Sequence, residues 1–141
     1  MRHGFTLPEL LSVIAIVGIL LSIVAPPLGR ALDQAAVHES ADRFAALHAT
    51  TRQLAIARNT LARLEVDQAR RTATLSVRGT PTVWDTVGSY PLGSANVSCT
   101  NATMVFGPLG LGYGTSNTRV IFARGSAADT ITTSRTGRLR R

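Results

Sequence analysis

The chain opens polar, turns apolar for some twenty residues, and only then takes on the mixed texture of a globular protein. Met1-Arg2-His3-Gly4 is short and basic, and from Leu10 to Leu28 no residue carries a charge. Phe5 to Val24 is twenty residues. As a helix, that length covers about 30 Å, the hydrocarbon thickness of a bilayer. One carboxylate, Glu9, lies near the start of the run. A charged side chain in mid-bilayer costs at least about 2.5 kcal/mol, so an acidic residue there has a functional reason by default. It is tolerable only when paired.

Pro26-Pro27 and Gly29 interrupt the run. A proline inside a helix removes a hydrogen bond, so the pattern predicts a kink or a locally melted turn there. Beyond it the spacing becomes amphipathic. Leu28, Leu32, Ala36, Ala41, Phe44, Ala45, Leu47, Leu54 and Ala55 recur at helical intervals. Asp33, Glu39, Asp42, Arg43 and Arg52 take the other positions. The helix is expected to end near Asn59. Strand-like alternation follows at Leu61–Asp67 and Thr72–Val77, with Gln68–Arg71 as a hairpin turn. Val83-Trp84 with Val87, then Met104–Phe106, Arg119–Ala123 and Thr130–Thr133, read as further short strands, and Ser89–Asn101 reads as loop. The expected fold is α+β: a long N-terminal helix, membrane-spanning in its first half, packed on a small antiparallel β-sheet domain.

Composition narrows the function. A length of 141 residues leaves room for one anchor and one small domain with a modest core. The net charge is +7 and every basic residue is Arg. This charge permits anionic partners such as nucleic acid or lipid head groups. Cys99 is the one cysteine; it has neither a disulfide partner nor metal-ligand spacing. His3, His38 and His48 stand in no Cys–His arrangement, and the scattered Asp and Glu residues show no acid–base or metal-site spacing. No catalytic residue, metal site or cofactor is expected, and the chain does not read as an enzyme. Gly107-Pro108-Leu109-Gly110-Leu111-Gly112-Tyr113-Gly114 looks like a phosphate loop but lacks the lysine and the following helix, so a glycine-rich β-turn is expected.

Gly4-Phe5-Thr6-Leu7-Pro8-Glu9-Leu10-Leu11 resembles the class III signal of type IV pilins and type II secretion pseudopilins. The resemblance implies cleavage after Gly4 by a prepilin peptidase and N-methylation of Phe5. It implies that Glu9 pairs with the N-terminal amine of a neighbouring subunit during assembly. Pro8 departs from the usual aliphatic residue, at a first-turn position where a missing N–H costs little. An ordinary secretory signal would have to be cut after Ala25, directly before Pro26-Pro27, which is a poor site. A plain uncleaved anchor has no use for Glu9. Arg2 favours a cytoplasmic N-terminus, although Arg30 weakens the asymmetry.

The short β-rich domain with Gly137-Arg138-Leu139-Arg140 resembles the GspH/FimT group of minor pseudopilins and minor pilins. The implied role is a minor pseudopilin of a type II secretion system at the tip of a periplasmic pseudopilus. The alternative is a FimT-like type IV minor pilin that binds extracellular DNA for natural transformation. Arg135, Arg138, Arg140 and Arg141 are the candidate DNA-binding residues. Strand alternation would set Arg138 and Arg140 on one side and leave Leu139 for the core. Against DNA stands a structural reading, in which charge on an edge strand blocks aggregation. The implied organisation is a leader at 1–4, a transmembrane and assembly helix at 5–28, its amphipathic continuation at 29–59, and a β-rich domain with a basic tail at 60–141. Prepilin peptidase, other pilin or pseudopilin subunits and the bacterial inner membrane are the implied partners, with the C-terminal domain outside the cytoplasm.

Overall fold

A computed structural model describes residues 6–80, 83–114 and 117–141, apart from the side chains of residues 23–26. Gly4 and Phe5, the expected cleavage and methylation positions, lie outside the described residues. Helix α1 (Leu7–Ala57) is 51 residues long. It is helical through Pro26 and Pro27, so the expected melted turn is not formed. Each proline forfeits only its own i→i−4 bond, and the turns on both sides carry the helix past the two gaps. The helix stops on a Schellman motif. Thr60 N–H donates to Ala55 O at 3.1 Å and Asn59 N–H to Ile56 O at 3.1 Å. Asn59 takes the left-handed conformation at φ 48°, which asparagine tolerates better than most residues.

Residues 1–32 and 33–141 form two compact units. In the first, every residue from Thr6 to Ser22 is exposed. Leu28 and Leu32, which the spacing assigns to the apolar stripe, are 58% and 60% exposed. In the second unit the buried face of α1 runs Val37, Ala41, Phe44, His48, Thr51 and Ala55, alternating steps of three and four as a 3.6-residue period requires. Two buried hydroxyls on it are satisfied locally. Ser40 donates to Ala36 O at 2.9 Å and Thr51 to Leu47 O at 2.7 Å.

The strands are β1 (Ala62–Asp67), β2 (Thr72–Arg78), β3 (Trp84–Pro91), β4 (Asn96–Cys99), β5 (Thr103–Phe106), β6 (Thr118–Arg124), β7 (Ala127–Thr133) and β8 (Leu139–Arg140). They form two antiparallel sheets, in the orders β3-β2-β1-β5 and β4-β6-β7-β8. The β1–β2 hairpin forms where the alternation places it, its turn held by the Arg70 amide donating to Asp67 Oδ1 at 2.9 Å. One core cluster joins α1 to both sheets, with Phe44, Leu64, Leu75, Phe106, Val120 and Phe122 among its members. Burying each such side chain contributes about 1.5–3 kcal/mol.

The stretch read as loop, Ser89–Asn101, instead contains the end of β3 and all of β4. Both are edge strands. β3 buries no residue fully, so it has no buried alternation to read, and its pairing with β2 shifts at a bulge between Leu75 and Ser76. Pro91 closes it at an edge, where a strand tolerates proline. The glycine-rich segment is a turn as expected. Gly107 N–H donates to Leu111 O and Gly110 N–H to Gly107 O, both at 2.8 Å.

Candidate functional site

Two regions hold the residues singled out in the sequence. The first is the start of α1. Thr6 precedes the first helical residue, and its carbonyl accepts from the Glu9 and Leu10 amides at 3.1 and 3.2 Å. The Glu9 carboxylate reaches back to the Thr6 amide at 3.4 Å and to its hydroxyl at 3.5 Å. This Thr-x-x-Glu arrangement is one half of a capping box: the N3 carboxylate accepts from the N-cap amide, while the Glu9 amide bonds the Thr6 carbonyl in place of its hydroxyl. It also places negative charge at the positive end of the helix dipole. Glu9 is exposed, so an amine brought to this end of the helix meets a positioned carboxylate.

The second region is the turn between β7 and β8. Ser134 N–H donates to Arg138 O at 2.9 Å, and the Arg138 amide returns a bond to Ser134 Oγ at 3.2 Å. Gly137 sits at φ 71°, and a Cβ there would stand 2.9 Å from the Gly110 carbonyl oxygen. Arg138 and Arg140 are exposed, and Leu139 packs half-buried against the core, the alternation expected of a strand. Among the described residues no ion pair involves Arg135, Arg138 or Arg140. Arg138 and Arg140 line a groove of about 630 Å³ with the hydroxyls of Thr132, Ser134 and Thr136. The register brings in a third cation. Arg119 pairs with Thr132, and Thr132 with Arg140, so Arg119 and Arg140 share an exposed face two strands apart, about 10 Å. Arg124 does not join them. It is held at the far end of β6 by Asp33 at 3.0 Å and Ser94 at 2.7 Å.

Arg141 is placed differently. Its Nη1 bonds Asp42 Oδ1 at 2.7 Å, and Nε bonds Asp129 Oδ2 at 2.6 Å. Its Nη2 lies 2.6 Å from His38 Nδ1. The same His38 nitrogen stands 3.5 Å from Asp129 Oδ2, so ring, carboxylate and guanidinium form one cluster. Burial opposes the charge of Asp129, but hydrogen bonds from Arg141 and the Thr130 amide and the Arg141 charge outweigh it and lower its pKa. Arg141 thus latches the end of β8 to α1. Cys99 is half-buried, and burial raises its pKa against a hydrogen bond from Gln68 at 3.2 Å. Among the described residues no group of three His, Cys, Asp or Glu could hold a metal ion.

A family profile described as "Prokaryotic N-terminal methylation motif" matches residues 1–25. The crystal structure of the type IV minor pilin FimU from Pseudomonas aeruginosa PAO1, in space group P21, has the same fold. The TM-score is 0.62 at 10% identity, over 74% of this chain and 86% of that one. The chain is type IV pilin-like. A second crystal form of FimU, in P65, gives a TM-score of 0.60 at 10% identity, over 73% of this chain and 90% of that one. No curated protein matches at a significant level. At this identity the likeness is one of fold. The motif adds that a pilin-like chain of this kind is processed by a prepilin peptidase and assembles with other pilins. The motif and the apolar first half of α1, long enough to cross a bilayer, mark a single N-terminal membrane anchor.

Composition and spacing missed two groups of residues. One is the latch of His38, Asp42 and Asp129; its sequence signal was the i,i+4 relation of His38 and Asp42. The other is His48 with Arg52, again four apart on α1, which line a groove against Gly137 and Arg138.

Proposed function

We propose that this pilin-like chain is a non-enzymatic minor pseudopilin of a type II secretion system. It is anchored in the inner membrane with its β-rich domain on the periplasmic side, and it joins the tip of a short filament after cleavage between Gly4 and Phe5 and methylation of Phe5. In this reading residues 1–4 are the leader, 5–28 the assembly helix, 29–59 its continuation and 60–141 the globular domain. The observation that carries it is the first part of α1, where every residue from Thr6 to Ser22 is exposed and Glu9 is the lone carboxylate in an apolar run. Such a surface is stable only in lipid or against other helices. The Glu9 carboxylate, already poised over the first turn, accepts the N-terminal amine of the neighbouring subunit. Replacing Glu9 by Ala leaves membrane insertion intact and abolishes incorporation into filaments, read by fractionation and immunoblotting of sheared filaments. Normal incorporation of the variant would remove the proposed role.

A second reading is favoured by Arg138 and Arg140, exposed and without ion pairs among the described residues, with Arg119 on the shared face. Cations so spaced on a hydroxyl-lined groove suit successive phosphates. The chain is then a type IV minor pilin that takes DNA. Binding of duplex DNA by the full chain would fall steeply with salt and vanish in the Arg138→Ala/Arg140→Ala variant. Absence of binding at low salt would leave the secretion reading alone.

A further inference from the structure

A groove of about 470 Å³ lies between the last turns of α1 and the turn that leads into β8. Its polar lining is His48, Arg52, Gln53 and Arg138, and its apolar lining includes Ala49, Ile56 and Leu139. His48 is 2% exposed, yet its Nε2 has no hydrogen-bond partner, and Arg52 Nε is likewise buried and unpartnered. Arg52 is wedged by two left-handed glycines. Its Nε is 3.0 Å from where a Cβ on Gly110 would stand and 3.8 Å from the same position on Gly137. Among the described residues no carboxylate pairs with Arg52 or Arg138. Burial, then the charge of Arg52, lowers the His48 pKa to about 4, so its ring is neutral at pH 7. An unsatisfied buried polar atom costs about 1–3 kcal/mol, and here two such atoms belong to side chains that line one groove.

We propose that this groove binds a carboxylate carried on an aliphatic stem, as an acidic side chain of another protein presents it. The carboxylate oxygens accept from the outer nitrogens of the Arg52 guanidinium, Arg138 supplies the second positive charge, and the stem lies on Ala49, Ile56 and Leu139. A flat carboxylate matches the guanidinium fork. The site does not depend on which filament the chain joins, and it shares Arg138 and Leu139 with the neighbouring groove that Arg140 lines.

The test uses the full chain in lipid nanodiscs, labelled with ¹⁵N at His and Arg, and titrated at constant ionic strength with butyrate, butylphosphonate and butylamine. Butyrate should shift the His48 imidazole and Arg52 Nε signals saturably, with millimolar affinity. Arg138→Gln, at an exposed position, should weaken binding about tenfold, the loss of one charge-assisted contact. Arg52→Gln should abolish it. An absence of saturable shifts overturns the proposal. So do equal shifts with butylamine, tighter binding of butylphosphonate than of butyrate, or unchanged butyrate affinity in Arg138→Gln.

Discussion

Replacing His48 by Leu should remove the pH dependence of stability between neutral pH and pH 4. His48 sits between Phe106, whose ring meets it edge-on at 4.8 Å, and Phe44 at 6.3 Å. Burial in this apolar wall and the nearby Arg52 charge lower its pKa from 6.5 to about 4. Arg138 is the other charged residue lining its groove. The unfolded chain therefore takes up a proton near pH 6.5 that the folded chain refuses until about pH 4. Stability from this group is fully present above pH 6.5, is lost as pH falls to 4, and changes no further below that. At 1.36 kcal/mol per pKa unit, the loss is about 3 kcal/mol. Asp129 acts in a different window, because its lowered pKa makes its contribution fail only as pH drops below 3.8. The assay is urea unfolding of the full chain in mild detergent at a series of pH values, followed by the single tryptophan, Trp84. The wild type should lose about 3 kcal/mol between pH 7 and 4. His48→Leu, which keeps an apolar side chain against both phenylalanines, should be nearly flat over that span. Parallel curves for the two proteins, or an NMR titration placing His48 near 6.5, would refute the argument.

Gly137→Ala should destabilise the domain by about 2–3 kcal/mol, combining a left-handed backbone with a Cβ set against the Gly110 carbonyl. Gly114→Ala, also left-handed at φ 79° but with nothing within 4 Å of its Cβ, should cost only about 1–2 kcal/mol. Thermal melts of the pair check the difference. Arg141→Gln should cost about 1–3 kcal/mol, because Asp42 is well exposed but the mostly buried Asp129 loses a charge-assisted hydrogen bond. The same change should speed hydrogen exchange at Thr132–Arg140 and move the Asp129 pKa upward, both readable by NMR.

The local features were legible in the residues because they depend on near neighbours. The apolar run with Glu9, the amphipathic half of α1, the Gln68–Arg71 turn and the glycine-rich turn all follow from periodicity and turn chemistry within a few positions. Strands at sheet edges were not. β4 and the end of β3 carry loop-like residues, and their conformation is decided by hydrogen bonds to β6 and β2 rather than by their own pattern. Leu28 and Leu32 satisfy the helical period as well as Phe44 does, yet only Phe44 is buried.

Among the arginines the division is sharper still. The sequence by itself determined that four of them fall between Arg135 and Arg141, and that strand alternation separates Arg138 and Arg140 from Leu139. It could not show that Arg141 is held by Asp42, 99 residues earlier in the chain, while Arg138 and Arg140 pair with no carboxylate among the described residues. Nor could it show that His48 and Arg52 leave two buried nitrogens unpartnered at one groove. Charge pairing and desolvation depend on distances of a few ångströms between residues far apart in the chain, and only the packed tertiary structure sets those distances.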